Sequence, residues 1–210
     1  MKQGIIFDLD GVLLSTDEMH FKAWKSVADE LSIPFDRTVN NRLRGVSRME
    51  SLEIILERSS QTFSAEEKEA LATRKNDRYR TLLKSLTPDA VAPEVRNTLS
   101  ALKARGLKLA VGSSSKNTKL ILNLTDLEHF FDAVSDGTNI TRSKPDPEVF
   151  LKAAEFIGLT PEDCAVVEDA VAGIDAAIAG GFTGIGIGDA AAYEKTEIKI
   201  RNMQELLQFV

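Results

Sequence analysis

The sequence predicts an α/β protein: a doubly wound parallel sheet, with a helical unit inserted directly after the first strand. Three observations lead there. Short apolar runs alternate with amphipathic stretches in residues 1–14 and again after about residue 88, the rhythm of strand, helix and strand. Residues 15–87 carry helical spacing and no convincing strand. Proline and glycine punctuate the outer segments as helix starts and stops.

The first strand is Gly4–Phe7, an apolar run that breaks into Asp8 and Asp10. Within the insert, Phe21, Trp24, Ala28 and Leu31 make one apolar stripe. Three Ser-x-x-Glu capping boxes mark helix starts there: Ser15 with Glu18, Ser47 with Glu50, and Ser64 with Glu67. The run "AEEKEALATRKNDRYR" reads mainly as a solvated face. Val12–Ser15 leads out to the insert and Leu86–Pro93 leads back. After it, Val95, Leu99 and Leu102 form a helix closed by Gly106, and Lys108–Val111 is a strand. Ala133–Ser135 carries a fainter strand signal. Phe150, Ala153, Ala154 and Ile157 lie on a helix between Pro147 and Gly158. Ala165–Val167 is the next strand, followed by a helix through Val171, Ile174 and Ile178 and a last strand, Thr183–Ile187. Such units pair in parallel through right-handed crossovers.

Composition narrows the function. Of 210 residues, 43% are hydrophobic and 28% charged, as in an ordinary globular protein. The net charge of −6 argues against unspecific nucleic-acid binding, which needs a basic surface. No apolar run reaches the roughly eighteen residues needed to span a bilayer, and acids arrive at Asp8 with no basic-then-apolar leader before them. A cytoplasmic monomer with neither nucleic-acid nor membrane partners is expected. The single cysteine, Cys164, sits in an apolar run and reads as a buried structural thiol.

Ligands of open α/β sheets bind at the carboxyl ends of the strands. Alone, Asp10-Gly11 reads as a turn at a strand end. The strand ends taken together read otherwise. They carry Asp8 and Asp10, then Ser113-Ser114-Ser115-Lys116-Asn117, then Ser143-Lys144, then Glu168-Asp169. Clustered carboxylates suit Mg²⁺, which binds few carboxylates beside water and substrate phosphate. Serine hydroxyls hold phosphate oxygens, and Lys144 supplies a point charge. One aspartate can attack phosphorus and the other can carry the proton of the hydroxyl.

The ordered set "FDLDGV", "VGSSS", "SKPDP" and "VEDAVAGIDAA" resembles the four signatures of the haloacid dehalogenase superfamily, over essentially the whole chain. That resemblance implies a Rossmann-like core of residues 1–14 and 88–210 with a helical cap of residues 15–87. The second acid, Asp10, is similar to the phosphoryl-transfer branch rather than to the dehalogenases, which lack it. The resemblance further implies Asp8 as nucleophile and Asp10 as general acid/base. Ser113 and Lys144 would hold the phosphate, helped by the N–H groups of Leu9 and Ser114. Mg²⁺ would take the Asp8 carboxylate, the Asp10 backbone carbonyl and Asp169, with Glu168 reaching it directly or through water.

The segments "HFKAWKSVADEL", "LRGVSRMESL" and "RKNDRY" resemble the β-phosphoglucomutase family, which interconverts β-glucose 1-phosphate and glucose 6-phosphate. The partner implied is a small sugar phosphate, with β-glucose 1,6-bisphosphate as intermediate and activator. A mutase holds its bisphosphate at both ends. Arg48, at a helix start where dipole and guanidinium favour the same anion, suits the far end. Ser115, Lys116 and Asn117 offer a further set. By resemblance Gly45, Ser51, Lys75 and Trp24 face the sugar, although Trp24 also reads as core. His20 would help Asp10 engage the substrate hydroxyl, and Thr16 would lie at the hinge. Ser15 departs from the family, which usually carries an acid there. A sugar-phosphate phosphatase on the same scaffold is the alternative. A signalling receiver domain is disfavoured, since receivers are single domains of ~120 residues without such an insert.

Overall fold

The computed structural model describes residues 2–209. Six strands form one wholly parallel sheet in the order β3-β2-β1-β4-β5-β6. They are β1 (Gly4–Phe7), β2 (Lys108–Gly112), β3 (Ala133–Ser135), β4 (Cys164–Glu168), β5 (Thr183–Gly186) and β6 (Ile198–Lys199). The predicted fold class is therefore the observed one. Three strands differ from the expected bounds by one residue at one or both ends, and β6 was not anticipated. With two residues on an edge, β6 has too little length to show any periodicity.

Side chains of a strand alternate between its faces, and both faces are covered here. Ile5, Phe7, Leu109, Val111, Ala165 and Val167 join the core against α5 (Pro93–Ala104) and α6 (Thr118–Leu124). Ile6, Ala110, Cys164 and Val166 pack against α7 (Glu148–Phe156) and α8 (Val171–Ala179). Two covered faces explain the unbroken apolar runs of β1 and β4. Cys164 lies in this core, and burial pushes its thiol up to about 11, so it is an inert packing group.

Four helices leave the sheet between β1 and β2: α1 (Asp17–Glu30), α2 (Arg37–Asn41), α3 (Arg48–Leu56) and α4 (Ala65–Leu83). They close around a core of their own, with Trp24, Val27, Ala28, Phe35, Leu52, Ile55 and Leu71. The capping boxes at Ser47 and Ser64 are formed. The one expected at Ser15 is not. The helix starts one residue later, at N-cap Thr16, whose side chain caps nothing. Thr16 is drawn to Asp10 instead, and Glu18 pairs with Arg37.

Candidate active site

The chain runs outward from β1 to β3, then crosses to β4 on the other side of β1. The ends of β2, β1 and β4 therefore lie side by side at the switch point of the sheet, where α/β proteins place ligands. A cavity of about 940 Å³ opens above them, roofed by the four helices.

Its floor is charged. Lys144, with no exposed surface, donates to Asp8 Oδ1 at 2.5 Å and also to Glu168 Oε1. Burial works against a charge on Lys144, but the two carboxylates more than offset it and raise its pKa. Burial pushes Asp8 well up, against the pull of Lys144. Asp169 is pushed up to about 7 by burial and by Glu168. Asp8, Glu168 and Asp169 offer ligand oxygens within 4.8 Å of one another. Three acids around one lysine leave negative charge uncompensated, and this all-oxygen donor set fits Mg²⁺. Gly11 makes the crowding possible: a Cβ there would lie 2.0 Å from Asp169 Oδ2.

Asp10 is handled separately. Its Oδ1 accepts from the Thr16 N–H at 2.7 Å and from the Thr16 hydroxyl at 2.5 Å. Oδ2 is left toward His20, whose Nε2 is 3.8 Å away. Burial raises the Asp10 pKa and the Thr16 bonds draw it back. His20 is held well below its ordinary value by burial and by Lys75, hence neutral. Lys75 Nζ lies 2.8 Å from His20 Nδ1. When Lys75 is charged it can only donate; in that state Nδ1 accepts and Nε2 carries the hydrogen that faces Asp10.

The remaining expected residues fall around the same space. Ser113, Ser115, Lys116 and Asn117 line it from the end of β2, and Trp24, Gly45, Arg48, Ser51 and Lys75 line it from the helices. Ser113 is buried, and among the described residues the N–H groups of Leu9 and Ser114 find no acceptor. Arg48 is half-buried and has no hydrogen-bond or ion-pair partner among the described residues. Ser51 turns its hydroxyl back to the Ser47 carbonyl. Trp24 is core, but Lys75 Nζ stands 4.9 Å from its ring centre. Thr16 and Lys144 do not line the cavity; each acts on it through a carboxylate.

The haloacid dehalogenase-like hydrolase family model matches residues 2–181. The chain belongs to that family. It is 40% identical over 206 residues to the β-phosphoglucomutase of Bacillus subtilis (strain 168), across 97% of this chain and 91% of the relative. A phosphorylated carbohydrates phosphatase of Thermotoga maritima is 32% identical over 183 residues, 86% of this chain and 82% of that one. The crystal structure of a β-phosphoglucomutase from Clostridium difficile superposes with a TM-score of 0.93 at 35% identity, covering 98% of this chain and 93% of that one.

Four residues of this haloacid dehalogenase-like hydrolase escaped the sequence reading. Tyr79 is buried, its hydroxyl 2.7 Å from Thr16 Oγ1. Thr16 spends its one proton on Asp10, so Tyr79 donates to Thr16. Arg44 reaches from the helices to Asp189 at 2.9 Å and Asp169 at 3.9 Å. Asn76 accepts from Asn117 Nδ2 at 3.0 Å. Gly173 packs directly on the Glu168 carboxylate. The first had a signal. Leu71, Lys75 and Tyr79 recur every four residues and are all buried, so the charged run carries a buried stripe, and Lys75 stands on it.

Burial and Arg48 bring Lys75 down to about 7, so at about pH 8 it is largely neutral. An arriving dianion favours its charged form. Binding of a sugar phosphate at about pH 8 is expected to take up a proton at Lys75; near pH 6 that uptake disappears because the group is already charged. Calorimetric titration in buffers of different ionisation enthalpy reads the difference.

Proposed function

We propose that this chain is a Mg²⁺-dependent β-phosphoglucomutase, converting β-glucose 1-phosphate to glucose 6-phosphate through β-glucose 1,6-bisphosphate and an aspartyl phosphate. In this reading residues 15–87 are a cap that closes over a core of residues 1–14 and 88–210. One observation carries it: a single cavity has Asp8 and its carboxylate cluster on the floor and, on the roof, the unpaired cation Arg48. A group transfer at one end and a second anion held elsewhere is the arrangement a bisphosphate needs. The full-length likeness to the Bacillus subtilis enzyme points the same way.

Asp8 attacks phosphorus; a bond forms to its carboxylate oxygen and the bond to the sugar oxygen breaks. Asp10 gives its proton to that leaving oxygen, from the Oδ2 side that Thr16 leaves free. Glucose 6-phosphate leaves. The 6-hydroxyl of an incoming β-glucose 1-phosphate then gives its proton back to Asp10 and takes the phosphoryl group from Asp8, forming a bisphosphate that turns end for end for the next transfer. Asp8, Asp169 and Glu168, with the Asp10 carbonyl, would hold Mg²⁺, which neutralises charge on the transferring group. Ser113 and the free N–H groups of Leu9 and Ser114 meet the phosphoryl oxygens, and Lys144 acts from beneath the floor by holding Asp8 and Glu168. His20 and Lys75 orient the hydroxyl at Asp10. Water would hydrolyse the aspartyl phosphate, so the cap has to exclude it.

The test is a coupled assay for glucose 6-phosphate from β-glucose 1-phosphate, primed with bisphosphate, with free phosphate measured alongside. Isomer formation far exceeding phosphate release, and lost in excess chelator, is expected. Phosphate release as the main event would instead favour the sugar-phosphate phosphatase reading, which the Thermotoga maritima relative supports.

Arg48→Ala is expected to lower mutase turnover on the order of 100-fold, because remote binding energy drives closure. Hydrolysis of p-nitrophenyl phosphate, which has no second phosphate, should fall far less. Equal losses in both would remove Arg48 from the distal site.

A further inference from the structure

We propose that Asn76 is a positioning residue for the distal phosphate: it fixes the carboxamide of Asn117, so that this anion is held in full only when the helices are closed over the sheet. The inference rests on the mutase reading above.

Asn117 is 5% exposed. It sits at the N-cap position of α6, where an asparagine side chain ordinarily accepts from the helix's own N–H groups, yet it makes no such cap. Its side chain is committed elsewhere. Nδ2 donates to Asn76 Oδ1 at 3.0 Å, across a sequence separation of 41 residues and across the boundary between the helical insert and the sheet. Its backbone N–H is fixed by Ser115 Oγ at 3.2 Å. Both asparagines line the cavity, as do Arg48 and Lys116.

A carboxamide nitrogen has two hydrogens and its oxygen has none. Accepting from one hydrogen, Asn76 sets which way the Asn117 amide is turned and leaves the second N–H available to an anion. Without that acceptor the amide is free to rotate and present its oxygen, which a phosphate repels. Arg48 and Asn76 belong to α3 and α4, whereas Ser115, Lys116 and Asn117 belong to the loop after β2. The distal site is thus assembled from two halves, and the Asn76–Asn117 bond joins them at the anion. Ser114 Oγ, donating to the Gly45 carbonyl at 3.2 Å, makes a second crossing of the same boundary. Asn76 adds no charge and touches no reacting atom, so its effect falls on binding of the doubly phosphorylated sugar.

The experiment is a double-mutant cycle with Asn76→Ala, Asn117→Ala and the pair, reading KM and kcat for β-glucose 1,6-bisphosphate as phosphoryl donor, with thermal melts of each variant. Asn76→Ala is expected to raise KM about 10-fold, the weight of one hydrogen bond toward a charged group, with a much smaller change in kcat. Added to Asn117→Ala, it should raise KM no further, since its route to the anion is already gone. Unchanged KM in Asn76→Ala, or effects of the two substitutions that multiply, would overturn the proposal. The cycle can be read from phosphate release as well as from isomerisation. A wild-type chain that only hydrolyses the bisphosphate would therefore sink the mutase reading and leave the Asn76 result standing.

Discussion

Asp8→Asn should abolish phosphoryl transfer, by on the order of 10⁶-fold, the scale on which removal of a covalent nucleophile acts. An amide keeps the shape of the carboxylate and loses its nucleophilic charge. The fold should persist, because Lys144 retains Glu168 as its buried partner and one of three crowded acids has been neutralised. Two measurements check this: turnover of β-glucose 1-phosphate in a preparation free of other phosphatases, and the thermal midpoint. Appreciable turnover contradicts a nucleophilic Asp8. A collapse of the midpoint would mean that the Asp8–Lys144 pair is chiefly structural.

Gly173→Ala is the second large effect expected, and it acts without touching a reacting atom. Gly173 lies within α8, where alanine is better than glycine by about 1 kcal/mol. Helix propensity alone therefore predicts a gain. The site predicts the opposite. A Cβ at Gly173 would stand 2.0 Å from both Cδ and Oε1 of Glu168, far inside contact distance. Glu168 has nowhere to retreat, being 1% exposed, with Oε1 on Lys144 and Oε2 accepting from the Ala170 N–H at 3.0 Å. Displacing it pulls apart the carboxylate cluster and its lysine. Mg²⁺ activation should weaken by about 10- to 100-fold, as when supporting groups of a metal site are disturbed. Titrating Mg²⁺ against hydrolysis of p-nitrophenyl phosphate measures it. An unchanged half-activating concentration would show that the helix moves aside at little cost.

The sequence is informative wherever a residue's neighbours are near in the chain. Strand ends, glycine stops and two of three capping boxes depend on contacts within a few residues, and their signals survive in the order of letters. The third box failed through competition: Ser15 and Glu18 stand at the right spacing, but Asp10 takes the adjacent threonine and shifts the helix start. The carboxylate cluster was legible for a different reason. A parallel sheet sends its strand ends to one edge, so acids that close separate strands must meet. Lys144 could be assigned to that edge, but not its burial beneath it. Arg44 and Asn76 had no signal at all. Each meets its partner across the boundary between insert and sheet, at separations of 145 and 41 residues, and no periodicity encodes such a meeting. Gly173 is similar: glycine in a small-residue helix looks like packing until the carboxylate behind it is seen.

The depth of Lys144 divides the molecule's response to dissolved ions. Its pairs with Asp8 and Glu168 are buried, the carboxylate side chains being 10% and 1% accessible, and mobile electrolyte reaches them little. The Arg44–Asp189 pair is open to it, with side chains 35% and 78% accessible. Counterions screen exposed pairs and spare dry ones. Rising ionic strength therefore loosens the grip of the roof on the walls while leaving the electrostatics under the floor intact. On the proposed mechanism, brine erodes fidelity before it erodes chemistry: Asp8 would stay competent while the barrier that keeps bulk water away from its phosphorylated form grows leaky.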